Sequence, residues 1–172
     1  MQKFFRITCF TAAALMLAAC SPKFDWRQVR GTPVPFEVLL PAKPASMAQP
    51  VNLDGIKVEM TMTATEVDGV TFAVGAAALP DASAAPAALA AMKAGLVRNI
   101  NGSVKREAGA AGGTAPLEIE AVGTGAPNGP ELLLLAQFIA KDARVYQVLV
   151  LGPSHKLVRQ EADTFFTSFK PD

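Results

Sequence analysis

Cysteine and histidine are nearly missing from this 172-residue chain, which has two cysteines, Cys9 and Cys20, and one histidine, His155. A structural zinc site takes four Cys or His ligands at set spacings, so none can be assembled here. No metal or cofactor site is expected. Charge of one sign is also lacking: 16 Lys and Arg stand against 15 Asp and Glu. That balance leaves no basic footprint for nucleic acid. A membrane-length apolar segment is absent too. The uncharged run ITCFTAAALMLAA covers residues 7–19, whereas a spanning helix needs about 20 apolar residues.

What is present at the amino terminus has a different meaning. MQKFFR carries Lys3 and Arg6 without an acid, the short apolar run follows, and small residues precede a polar, proline-containing break. This is the pattern of a secretory signal. Its last four residues, Leu17, Ala18, Ala19 and Cys20, resemble a bacterial lipobox. The resemblance implies that the Cys20 thiol takes a diacylglyceryl group and that signal peptidase II cuts between Ala19 and Cys20. The alternative is an ordinary signal peptide, or an uncleaved anchor, with a chance cysteine. Each buried CH₂ contributes about 0.8 kcal/mol and one chain anchors only marginally, so two or three acyl chains would hold the protein on its membrane. Ser21 follows, where lipoproteins retained at the enteric inner membrane tend to carry aspartate. The expectation is therefore a periplasm-facing lipoprotein, outer membrane favoured over inner. With Cys9 removed and Cys20 lipidated, no intramolecular disulfide can form.

Residues 1–19 are thus read as signal peptide, 20–34 as a lipidated tether and 35–172 as one globular domain, long enough for its own core. Phe24 and Trp26 in the tether are expected to pack on a sheet edge or near lipid headgroups. PFEVLL (35–40) reads as a strand, and PAKPASMAQP (41–50) as a proline-punctuated loop. Asp54-Gly55 and Asp68-Gly69 are two-residue hairpin signals. Between them Ile56, Val58, Met60, Met62 and Ala64 alternate with Lys57, Glu59, Thr61, Thr63 and Thr65, giving one buried and one wet face. The Met and Phe stripe of this hairpin reads as core rather than cofactor pocket.

Residues 81–101 shift to helical spacing, with Leu89, Met92, Leu96 and Ile100 on one face and Asp81 or Ser83 as cap. Short strands are expected at 103–107 and 117–122, the latter with Glu118 and Glu120 facing water. ELLLLAQFIA (131–140) and RVYQVLVL (144–151) are apolar on both faces, so both sides of the sheet must be covered there. KLVRQEADTFFTSF (156–169) reads as an amphipathic helix docked by Phe165 and Phe169, with Ser154 as cap.

The order of PFEVLLPAKP, hairpins, mid-chain helix, RVYQVLVLG and ADTFFTSFK resembles the PsbP/DcrB-like superfamily over most of residues 35–170. The resemblance implies an α+β fold, an α-β-α sandwich around a mainly antiparallel sheet. It also implies an accessory or binding role, with no catalytic motif to carry over.

Fragments that suggest chemistry do not develop into sites. Gly123 to Gly129 lacks dinucleotide-loop spacing and precedes a strand. Residues 109–113 lack the Lys-Ser/Thr of a phosphate loop. Ser154 and His155 are sequence neighbours without a nucleophile elbow. Glu118 and Glu120 could pair on one strand face, but solvated acids are the commoner arrangement. Lys156, Arg159 and Lys170 read as surface charge. The expectation is a non-enzymatic envelope module with a protein partner. A carrier of a small apolar ligand or lipid, held between sheet and helix near Leu132 to Leu151, is the alternative.

Overall fold

The computed structural model describes residues 23–111 and 115–172. The segments read as signal peptide and lipobox, with Cys20, lie outside these residues. The fold is α+β. Strands β1 (Arg27–Arg30), β2 (Phe36–Leu40) and β10 (Lys170–Pro171) make a small sheet in the order β1-β2-β10. Strands β3 (Ala45–Leu53), β4 (Ile56–Val67), β5 (Val70–Ala78), β6 (Ser103–Ala108), β7 (Leu117–Gly123), β8 (Leu132–Lys141) and β9 (Arg144–Pro153) make the main sheet. Its order is β3-β4-β5-β9-β8-β7-β6, antiparallel throughout. Helix α1 (Ala85–Asn99) carries the chain from β5 to the far edge at β6, and α2 (Arg159–Ser168) follows β9.

Local chemistry accounts for the hairpins. Asp54 and Gly55 have φ of 54° and 89°, and Asp68 and Gly69 have 53° and 80°. Both central residues at positive φ match the twist of the flanking strands, and glycine takes that region without a steric penalty. Strands β8 and β9 sit between β7 and β5, which explains their apolar character on both faces. Leu134, Phe138, Val145 and Leu149 pack beneath α1, while Leu133, Leu135, Tyr146, Val148 and Val150 pack beneath the small sheet and α2.

Several expectations need correction. The domain begins before Pro35: Arg27–Arg30 pair with β2, and Trp26 meets Phe72 edge-on at 6.3 Å, so most of the supposed tether is folded structure. Residues 45–50, expected in a loop, belong to edge strand β3. The Asp54-Gly55 turn makes Leu53 and Ile56 a hydrogen-bonded pair, and the alternation then turns position 50 outward. Pro50 therefore removes only a donor that would face solvent, which an edge strand tolerates.

The threonine face of β4 is not wet: Thr61, Thr63 and Thr65 are buried. Burial is tolerated because hydroxyls find partners, Thr63 with the Ser46 hydroxyl at 2.9 Å and Thr65 with the Lys43 carbonyl at 3.4 Å. The last helix starts at Arg159 with Val158 as its N-cap residue, so Ser154 does not cap it.

Both ends of the main sheet are open edges. β3 is protected by Pro50, and β6 by Lys105, Arg106 and a bulge between Val104 and Arg106. Proline, charge and bulges are the devices that discourage edge-to-edge pairing.

Candidate functional groove

Helix α2 is ten residues long and lies beside β2. It leaves part of β6, β7 and β8 uncovered. The result is a cleft of about 490 Å³ between α2 and these strands. Strand pleating decides what faces it. Arg106 stands opposite Glu120, which stands opposite Leu135; Ala108 stands opposite Glu118, which stands opposite Gln137. From the helix, Arg159, Asp163, Phe166 and Thr167 complete the wall, a spacing that keeps them on one side of α2.

The charges are ordered rather than scattered. Arg159 Nη2 donates to Glu120 Oε1 at 2.8 Å, bridging helix and sheet. That hydrogen bond, with the charge of Glu120, holds the Arg159 guanidinium above its ordinary value. Gln137 Nε2 donates to Glu118 Oε1 at 2.9 Å. Thr167 donates its hydroxyl to the Asp163 carbonyl at 2.7 Å within the helix. Arg106 has no side-chain ion pair among the described residues. The cleft thus offers two guanidiniums, three carboxylates and an amide above an apolar floor of Leu135 and Phe166.

A second hollow of about 360 Å³ shares Gln137 and Phe166 with the first. Leu89, Pro116, Phe138, Ile139, Phe169 and Pro171 give it an apolar lining. The two together form a groove with a charged half and an apolar half.

The structure brings together residues that the sequence reading keeps apart. Glu120 and Arg159 are 39 positions distant, and neither is merely a solvated surface charge. Glu118 stays exposed. His155 is exposed in the turn before α2, outside the groove. In the Gly123 to Gly129 loop, the Thr124 and Gly125 amides both donate to the Ile100 carbonyl, at 3.0 and 2.8 Å, and tie down the end of α1. Among the described residues no three His, Cys, Asp or Glu side chains gather as a metal cluster. No helix among them is long and apolar enough to cross a membrane.

No family model matches the chain, and no curated protein matches it. Among solved structures, protein of unknown function PA94 from Pseudomonas aeruginosa, proposed to be a regulator, is similar at 13% identity with a TM-score of 0.38. The likeness covers 80% of this chain and 90% of that one. It adds nothing to the reading of the groove.

Proposed function

We propose that this is a lipid-anchored module of a bacterial cell envelope, with a PsbP/DcrB-like sandwich, that binds an envelope protein in the α2 groove without turning it over. The anchor rests on the lipobox-like Leu17 to Cys20, which puts the domain at the periplasmic face of a membrane; Ser21 favours the outer one. The observation that carries the binding role is the meeting of the charged and apolar hollows at Gln137 and Phe166. A partner segment with charged groups at one end and apolar side chains at the other fits that division. Charged pairs would set its orientation and apolar burial would supply affinity.

The test places a photo-reactive residue at Thr167, in the groove, and at Ala90, on the exposed side of α1, in the full-length lipoprotein. The expected result is one reproducible envelope-protein adduct from position 167, absent from position 90 and diminished by Glu120→Lys. The same adducts from both positions, or none from 167, would overturn the assignment. Cys20→Ala should abolish both acylation and cleavage, so intact-mass measurement should show a precursor that keeps residues 1–19 and carries no acyl chains.

The second reading, a carrier of a small apolar ligand, draws on the apolar half of the groove. Native mass spectrometry of gently extracted lipoprotein separates it from the first: a bound small molecule beyond the Cys20 acyl chains supports the carrier.

A further inference from the structure

The opposite face of the main sheet holds an arrangement that neither the groove nor the anchor uses. Strand register lines up Met47 on β3, Met62 on β4, Gly75 on β5 and Gln147 on β9 as direct neighbours across four strands. Met60 lies two residues from Met62, on the same face. Gln147 is buried, 6% exposed, and its amide has an unusual environment: Nε2 lies 3.5 Å from Met62 Sδ and 3.7 Å from Met60 Sδ. An N–H group thus points its positive end into the gap between two thioether sulfurs.

The room for this comes from Gly75. A Cβ there would stand 2.6 Å from Met62 Sδ and 2.9 Å from Gln147 Nε2. Met60 is buried at 4% exposure, Met62 is partly buried, and Met47 is open at 63%, so the sulfurs run from core to solvent. Side chains directly opposite on antiparallel strands have Cβ atoms about 4.5–5.5 Å apart. With three rotatable bonds, Met47 can bring its sulfur to Met62. Flanking positions on this face, Gln49, Val58, Ala64 and Ala77, carry no charge.

We propose that Met47, Met60 and Met62 form a binding site for a soft monovalent metal ion of the Cu(I) class, with Gln147 and Gly75 shaping its floor. Thioethers are neutral, soft donors that select Cu(I) over hard divalent ions, which prefer carboxylates and carbonyls. The ion takes the place of the amide N–H between the sulfurs, positive charge replacing positive dipole. It enters from the Met47 side.

The test uses the full chain in detergent micelles, with Cys9→Ser and Cys20→Ser so that no thiol competes. Ag(I), a redox-inert stand-in for Cu(I), is titrated while the methionine methyl signals are followed by NMR. The Met47, Met60 and Met62 signals should shift together and saturate at a single equivalent. Those of Met92, on the buried side of α1, and of Met1 and Met16 should stay. Met62→Leu should weaken binding by roughly tenfold or more, at least the effect of losing an outer-shell partner. That substitution nearly conserves volume, so the fold is retained. Met47→Leu, at an exposed position, should weaken binding without touching the core. No saturable shift, shifts confined to Met1 and Met16, unchanged affinity in Met62→Leu, or equal saturation by Zn(II) would each overturn the proposal.

Discussion

The two faces of the seven-stranded sheet are packed by different means. Under α1 the buried residues are mostly aliphatic and small, with Ala73, Ala77, Ala85, Ala88, Ala121 and Ala136 among them and Phe138 as the one buried ring among the described residues. The other face is a set of interlocked aromatics: Phe72 meets Phe165 at 5.6 Å, Tyr146 meets Phe169 at 5.5 Å, and Phe36 lies near both Tyr146 and Phe169. Small residues let a helix approach a sheet closely, and rings fill the wider gap beneath a mixed layer of strands and helix. Helix length follows the same division. The 15 residues of α1 extend about 22 Å and the ten of α2 about 15 Å at the helical rise. The shorter helix leaves β6 to β8 partly bare, and the groove lies there.

If the aromatic face holds the fold together, removing a ring there should have the largest effect. Phe165→Ala is expected to destabilise by about 3–5 kcal/mol, and Leu89→Ala beneath α1 by less, toward the lower end of about 2–5 kcal/mol, because small neighbours close on the space more readily. Urea unfolding of both variants makes the comparison; a larger loss at Leu89 would reverse the ranking of the faces. The small-residue face should instead resist added volume. Ala88 is fully buried, and Ala88→Leu would lift α1 from the sheet at a cost of about 1–3 kcal/mol. A stable, fully folded Ala88→Leu protein would show that the close approach of α1 is not required.

How far the sequence discloses this division depends on whether the signal is local. The Asp-Gly turns demand positive φ at adjacent positions, so the hairpins are legible from two residues each. The apolar runs of β8 and β9 disclose a sheet covered on both sides. Strand β3 is hidden by Pro50, because nothing local distinguishes an outward-facing missing donor from a broken ladder. The buried threonines of β4 are hidden because their partners, Ser46 and Lys43, lie on another strand and loop. Strand β10 is two residues long, too short for any period to show. The groove is the least legible part. Its helix–sheet bridge joins Arg159 to Glu120 across two intervening strands, and its floor depends on where α2 stops. Met62 is legible as part of the apolar face of its hairpin, but the register that sets Met47 and Gln147 beside it belongs to the assembled sheet.

Tyr146 offers the finest test of how the aromatic layer is fastened, because a single hydroxyl is at issue. The ring is fully buried between Phe36 and Phe169, and its hydroxyl donates to the Pro35 carbonyl at 2.9 Å, joining β9 to the start of β2. Tyr146→Phe keeps the ring and leaves that carbonyl short of a donor, so the expected loss near neutral pH is about 1 kcal/mol. Burial raises the Tyr146 pKa above the ordinary tyrosine value of 10.0, against a smaller lowering by Arg144. A folded-state pKa above the unfolded one means that the native state holds the proton more tightly. The stabilisation is therefore complete below about pH 10 and is lost as pH climbs through the folded value. Unfolding free energies of the two proteins should run parallel up to about pH 9 and converge in stronger alkali, as the native tyrosine protein loses a contribution that phenylalanine never had. Curves that stay parallel through the alkaline range would mean that the hydroxyl titrates as freely in the folded chain as in the unfolded one.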